Sequence, residues 1–423
     1  MSATKSPPLA TTFPITWVRD QFPALRARPE TVFFDNGAGA QVPRGVFDAI
    51  NEHLLQRNVQ RGGRYRQSVE VDAVITNARE GIADLVNTKE PCEIAFGMNA
   101  TSFIRLVSLA IGYTLRDRRK IVVTDLDHEA NIATWLALER EGASIRWWKI
   151  REDGVLHLED LEKILTPATR IVACTMASNA IGSVLDIAAI ADLVHDAGAE
   201  LFVDAVHFAP HGLIDVQELG CDYLVCSGYK IFGPHMGFLW GKRQALDALP
   251  TFREHFVPDT APDKYEVGTY VYENVAGMNA AIAYVENLGR RLCSDTVISR
   301  RIAIATCMQA IRGYESTLSA ELLAQMQKMD RVTVYGIDDP ARTSSRVPTF
   351  CFTVAGLLPS VVTQALAARG IAVRDGHMYS PRLMRRLGLS DDAGAVRASL
   401  VHYNTLEEIR RFADELDAII SAV

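Results

Sequence analysis

Between residues 93 and 241 short apolar runs alternate with helix-patterned segments, and this alternation restricts the fold more than any other feature of the sequence. EIAF (residues 93–96), KIVVTD (120–125), SIRWWKI (144–150), RIVACT (170–175) and ELFVDAV (200–206) have the length and polar flanks of buried strands. Between two of them, DIAAIADLVHDAGAE places Ile187, Ile190, Leu193 and Val194 on one helical face, with Gly198 as a stop. Strands and helices taken in turn predict an α/β fold with a mostly parallel sheet covered by helices on both faces.

The last pair of runs holds the most informative residue. In CDYLVCSGYKIFGPHMGFLWG (residues 221–241) two apolar runs flank a polar turn with Ser227, Gly228, Tyr229 and Lys230, followed by the breakers Gly233 and Pro234. A lysine between buried strands is costly unless it is paired, reaches solvent or is used covalently. Desolvation also lowers an amine's proton affinity, as a Schiff-base lysine requires.

At 423 residues the chain exceeds one ordinary core, so a large and a smaller domain are expected. A net charge of −7 argues against a nucleic-acid or anionic-membrane surface, and no apolar run is long enough to span a bilayer. The seven cysteines are scattered without metal-site spacing, and Cys174, Cys226 and Cys351 sit in apolar runs. Cys221 and Cys226 would point to opposite faces of a regular strand. A reduced, cytoplasmic enzyme is the expectation.

The start of the chain is a Pro/Thr-rich arm without an apolar leader core, followed by a short helix over residues 17–28 that Pro23 limits. VFFDNGAGAQVP then supplies a strand ending at Phe34 and a Gly-rich turn. GAGAQV imitates half of a dinucleotide fingerprint, but it lacks the third glycine and a following βαβ unit, so no Rossmann site is expected. From about residue 285 the pattern changes to a long helical stretch, then VTVYGI, TFCFTV, a helix over 360–369, IAVRDG and AVRASLVHY. The last helix is announced by a Thr405–Glu408 capping box and an apolar face of Leu406, Ile409, Phe412, Leu416 and Ile419. The expected organisation is an N-terminal arm and helix (1–30) packing with the small domain, a large domain (31–284) and a small α+β domain (285–423).

In a doubly wound sheet ligands sit beyond the carboxyl ends of the strands. Asn99, Ala100 and Thr101 fall there at the start of a helix, where free backbone N–H groups suit a phosphate. Asp127 and His128, Asn179, Asp204, His207 and Lys230 fall at the same edge. His207 and His211 have the spacing of zinc ligands on a helix, but Pro210 lies between them and no third ligand is evident, so no metal is expected. Taken together, a strand-end Asp, a lysine after a later strand, a helix N-terminus and a His suit pyridoxal 5'-phosphate. The lysine makes the Schiff base, and the Asp keeps the pyridine nitrogen protonated.

Seven segments in order resemble the class V aminotransferase and cysteine desulfurase family of fold-type I pyridoxal phosphate enzymes: FFDNGAGAQVP, NATS, DHEAN, SNAIGS, VDAVH, SGYKIFGP and RASLVHYN. The resemblance covers about residues 33–403 and implies a seven-stranded, mostly parallel large-domain sheet. It also implies a cofactor set: Lys230 as the Schiff-base lysine, Asp204 at the pyridinium, and His128 stacked on the ring. Asn179 and His207 would lie near the phenolic oxygen, with Ala100, Thr101, Ser227 and Tyr229 at the phosphate. EVGTYVYE resembles the segment in which a threonine crosses a homodimer interface, which implies that role for Thr269. Arg397, with Arg374 and Asn179 close by, would bind the substrate carboxylate.

The family's desulfurases carry their sulfur-accepting cysteine in a loop that here reads RDGHMYSPRLM, with Tyr379 at the matching position. The family's Gln is His207, and its His before the lysine is Tyr229. The expected activity is therefore a lyase or β-elimination on an α-amino acid without a persulfide cysteine, with Tyr379 among the catalytic groups. An aminotransferase or epimerase is the alternative, and a non-catalytic cofactor-binding protein is the remote one.

Overall fold

A computed structural model describes residues 12–293 and 297–422. The expected runs become seven strands of one sheet: β1 (Ile94–Gly97), β2 (Lys120–Thr124), β3 (Ser144–Trp148), β4 (Thr169–Thr175), β5 (Glu200–Asp204), β6 (Tyr223–Ser227) and β7 (Gly237–Gly241). Their order is β1-β7-β6-β5-β4-β2-β3, and only β7 runs against the rest. Strands β4 to β7 are buried along nearly their whole length, as a sheet covered on both faces requires. Because six strands point one way, the residues just past Gly97, Thr124, Thr175, Asp204 and Ser227 collect at a single edge.

A second sheet lies in the C-terminal part: β8 (Val332–Tyr335), β9 (Thr349–Val354), β10 (Arg374–Gly376) and β11 (Ala395–Ser399), in the order β10-β11-β9-β8 and antiparallel throughout. Its apolar side packs on helices Pro359–Ala367 and Leu406–Ser421. The last helix has its capping box, Thr405 Oγ1 accepting from Glu408 N and Glu408 Oε2 accepting from Thr405 N, a feature worth about 1 kcal/mol. IAVRDG does not form one strand. Ile371–Ala372 pairs in parallel with Val32–Phe33, and the chain then turns so that Arg374–Gly376 joins the other sheet.

Residue 285, where the sequence changes character, lies inside helix Tyr272–Leu292, which packs on helices Arg44–Gln56, Arg66–Val86 and Arg300–Met326. The first eleven residues of the arm lie outside the described residues. Beyond them Pro23, unable to donate an N–H, divides the expected helix into Ile15–Gln21 and Pro23–Ala27. Phe22 between them is fully buried against Phe232, Tyr284, His402 and Tyr403, and Arg19 bonds the Tyr403 carbonyl and Glu408.

Candidate active site

Lys230 ends a single 3-10 turn (Gly228–Lys230) between β6 and β7 and is 7% exposed. Burial, with the Arg397 guanidinium adding to it and Asp204 opposing, brings its amine down to about 8. Asp204 closes β5. Its Oδ1 accepts from Val206 N at 2.9 Å, and burial raises its proton affinity. A second buried carboxylate, Asp127, lies close enough to feel Asp204's charge. Burial chiefly raises it to about 7, while Thr124 and Asn131 donate to it. His207 bonds Thr349 Oγ1 through Nε2 at 2.9 Å, while its buried Nδ1 has no protein partner. His211, its ring edge-on to that of His207 at 5.7 Å, pairs with Glu315 at 2.8 Å, so the two histidines have separate partners.

Helix Ala100–Tyr113 begins at the next strand end. Asn99 caps it, Oδ1 accepting from Ser102 N at 2.9 Å, and Ala100 N donates to Ser227 Oγ at 3.1 Å. Thr101 and Tyr229 line the same hollow, with the Tyr229 ring stacked on His235.

The opposite wall is a turn formed by residues 376–380. Met378 and Tyr379 both take the left-handed conformation, with φ of 52° and 58°, which costs roughly 1–3 kcal/mol each in non-glycine residues. Surrounding groups hold it there. Asn179 Nδ2 donates to Met378 O at 2.7 Å, Ser380 Oγ donates to Asn179 Oδ1 at 3.1 Å, and Glu129 N donates to Tyr379 O at 2.8 Å. Arg382 grips the Glu129 carboxylate with two nitrogens. The Tyr379 ring, 57% exposed, stands 5.6 Å from the His128 ring. Burial, reinforced by Lys230 and Arg397, lowers His128 to about 4, so its imidazole is neutral at pH 7.

Arg374 and Arg397 are Cα partners across β10 and β11. Asp35 lies between them, its Oδ1 3.0 Å from Arg397 and its Oδ2 2.9 Å from Arg374. Arg397 also donates to Asn179 O at 2.9 Å. Gly37 runs so close beneath that a Cβ there would come within 3.1 Å of Arg397 Cζ and His207 Cε1, which explains a glycine in that turn. These walls enclose a cavity of about 490 Å³ that includes His128, Asn179, Lys230, Arg374, Tyr379 and Arg397. A narrower recess of about 50 Å³ continues below it to Asp204 and His207. A larger hollow, about 880 Å³, opens at the other end of the strands, where Asp222 is already paired with Lys242 and His195.

The aminotransferase class-V family model matches residues 32–412. This chain belongs to the class V aminotransferase family. It is similar to an aminotransferase-like protein of Gibberella zeae, 36% identical over 97% of this chain and all of that protein. It is also similar to a probable cysteine desulfurase of Synechocystis sp., 32% identical over 99% and 98% of the two chains. Among solved structures, the apo cysteine desulfurase of Thermococcus onnurineus NA1 superposes with a TM-score of 0.86 at 26% identity, covering 98% of this chain and all of that one.

Class V enzymes depend on pyridoxal phosphate, and so does this chain, whose fold is the family's fold type I. The site fits that group. It offers a buried amine of lowered proton affinity, a buried carboxylate at the base of the recess, an unpartnered imidazole nitrogen and a capped helix N-terminus. Of the residues expected from sequence, Ala100, Thr101, His128, Asn179, Asp204, His207, Ser227, Tyr229, Lys230, Arg374, Tyr379 and Arg397 all line these two cavities. Thr269 does not: it is exposed and accepts from Gln60 Nε2 at 2.7 Å. Sequence reasoning passed over Asp35 and Glu129. Asp35 ends FFD as Asp204 ends ELFVD, and that parallel was the available signal. Glu129 acts through its backbone and a distant arginine, for which no local signal exists.

Proposed function

We propose that this class V enzyme is a lyase acting on an α-amino acid, cleaving a C–S or related Cβ bond by β-elimination without a persulfide-carrying cysteine. The observation that carries the proposal is Tyr379, a phenol on a hydrogen-bonded turn beside His128, at the position where the family's desulfurases carry a thiol. A phenol oxygen is a far poorer acceptor of sulfane sulfur than a thiolate. Among the described residues no cysteine lines either cavity, and six of the seven are buried.

Bound pyridoxal phosphate supplies the electron sink for the pair left at Cα. Lys230 would hold it covalently, and its neutral amine would take the Cα proton at Nζ. Asp204 would keep a proton on the cofactor's ring nitrogen, and neutral His128 would help to hold the ring. Asn179 and His207 would serve the cofactor's phenolic oxygen, while Ala100, Thr101, Ser227 and Tyr229 would hold its phosphate. Arg397, assisted by Arg374, orients the substrate carboxylate, and the Tyr379 hydroxyl gives a proton to the leaving sulfur. We place the enzyme in the cytoplasm as a homodimer in which the partner subunit's Thr269 completes the phosphate site. Exposed Phe47 and Leu55 on helix Arg44–Gln56 and Met98 at the cavity rim support such an interface.

The test is incubation of the loaded enzyme with cysteine and cysteine conjugates, following pyruvate and ammonia, with intact-mass analysis and a persulfide trap. Pyruvate release without a sulfur adduct is the expected result. An adduct on any cysteine, formed at catalytic rates and abolished by Lys230→Ala, would refute the proposal. Amine exchange with keto acids and no pyruvate would favour transamination, the second activity, which the name of the 36%-identical relative supports.

A further inference from the structure

Two guanidiniums directly opposite each other on neighbouring strands repel. Here one carboxylate serves both. Asp35 accepts from Arg374 through Nε at 3.0 Å and is 2.9 Å from its terminal nitrogen, so the forked edge of Arg374 is occupied. Its other contact is end-on, from Arg397 at 3.0 Å. Asp35 sits behind the arginines. It lines a separate hollow with Phe33, Asn36 and Gln41, and not the cavity that holds Lys230. Its backbone is fixed by neighbours: Asn36 N donates to Ser399 O and Gly37 N to Ser399 Oγ at 2.7 Å. An incoming ligand therefore meets the arginines with Asp35 already in place.

Arg374, Arg397 and Asp35 together carry one positive charge, matched by one substrate carboxylate. Among the described residues that line the cavity, Lys230 is the only other lysine or arginine, and the cofactor takes it. His128 is neutral at pH 7. A second carboxylate on the substrate would find no free lysine or arginine among these lining residues, because Asp35 already engages the forked edge of Arg374.

We propose that Asp35 is a specificity-determining residue, which by neutralising one of two opposed guanidiniums sets the site to accept a single carboxylate and to turn away a second. This rests on the α-amino-acid substrate proposed above. The test compares isosteric pairs, L-glutamine against L-glutamate and L-asparagine against L-aspartate. Each is titrated into the loaded enzyme, and its dissociation constant is read from the absorbance of the bound cofactor. In the wild type the acids bind at least about tenfold more weakly than the amides. Asp35→Asn raises the local charge by one and narrows that ratio by about tenfold. Asp35→Asn with Arg374→Gln returns the charge to its original value and restores the ratio. An unchanged ratio in Asp35→Asn overturns the proposal. So does a wild type that binds acids and amides equally, whether or not the variants fold. A wild type whose spectrum responds neither to these four nor to other α-amino acids overturns the amino-acid substrate itself and the proposal with it.

Discussion

The side-chain amide of Asn179 donates to the carbonyl of Met378 at 2.7 Å, across 199 residues of sequence. The bond ties the loop after β4 to the turn that presents Tyr379. With Ser380 donating to the same amide's oxygen, Asn179 has both ends engaged in holding two left-handed residues in place.

Asn179→Ala should therefore loosen the turn before it harms the cofactor. Losing these two bonds, at about 0.5–1.5 kcal/mol each, removes much of what offsets the backbone strain. Faster hydrogen exchange confined to residues 376–380, with the cofactor retained, is the expected outcome. Unaltered exchange in that segment would show that the turn is held by other contacts.

Lys230 makes stability depend on pH in the cofactor-free protein. Burial, the largest cause, lowers its amine from 10.5 to about 8. Between these values the unfolded chain binds more protons than the folded one, so stability rises with pH through that window and is lost as pH falls through about 8. Lys230→Met removes the effect. The wild-type-minus-variant difference in unfolding free energy should shift towards the wild type by roughly 1–3 kcal/mol across the window. A difference that is flat with pH in urea titrations would contradict the burial of a titrating amine.

Asp204→Ala should keep part of the cofactor, because the phosphate end and Lys230 are untouched. Without the carboxylate the ring nitrogen loses its proton, and exchange of the substrate's α-proton should fall by roughly 10²–10⁴-fold. Near-normal exchange measured by NMR in deuterated buffer would remove Asp204 from the proposed mechanism.

Thr269 separates a shared site from a self-contained one. Lys230→Ala and Thr269→Ala homodimers should both be impaired. Random mixing should restore about a quarter of wild-type activity, since half the dimers are mixed and each carries one intact site. No recovery after verified subunit exchange, or a fully active monomer in sedimentation, would exclude the shared arrangement.

Much of this was legible in the sequence because it is local. Each large-sheet strand is an apolar run with polar ends, and a parallel sheet gathers the polar residues beyond those runs at one edge, so Asn99, His128, Asn179, Asp204 and Lys230 could be grouped without coordinates. The Asn99 and Thr405 caps were readable for the same reason: a cap is a relation over three residues. Asp35 could not be placed between Arg374 and Arg397, because strand register in the second sheet is set by packing between distant segments. The break in IAVRDG also depends on partners outside it, Val32–Phe33 on one side and Ala395–Ser399 on the other. SNAIGS presents Asn179 as a ligand group, and nothing in it announces that its amide meets Met378.

Asp35 is separated from Arg374 by 339 residues and from Arg397 by 362. During synthesis the ribosome will have released the Lys230 turn, and every strand of the large sheet, before either arginine emerges. For that interval Asp35 is a carboxylate without its counter-charges, and the carboxylate-binding edge does not exist. Contacts this far apart in the chain form late and slowly. The nascent enzyme can thus have its cofactor-binding wall in place well before it has the edge that selects what the cofactor will act upon.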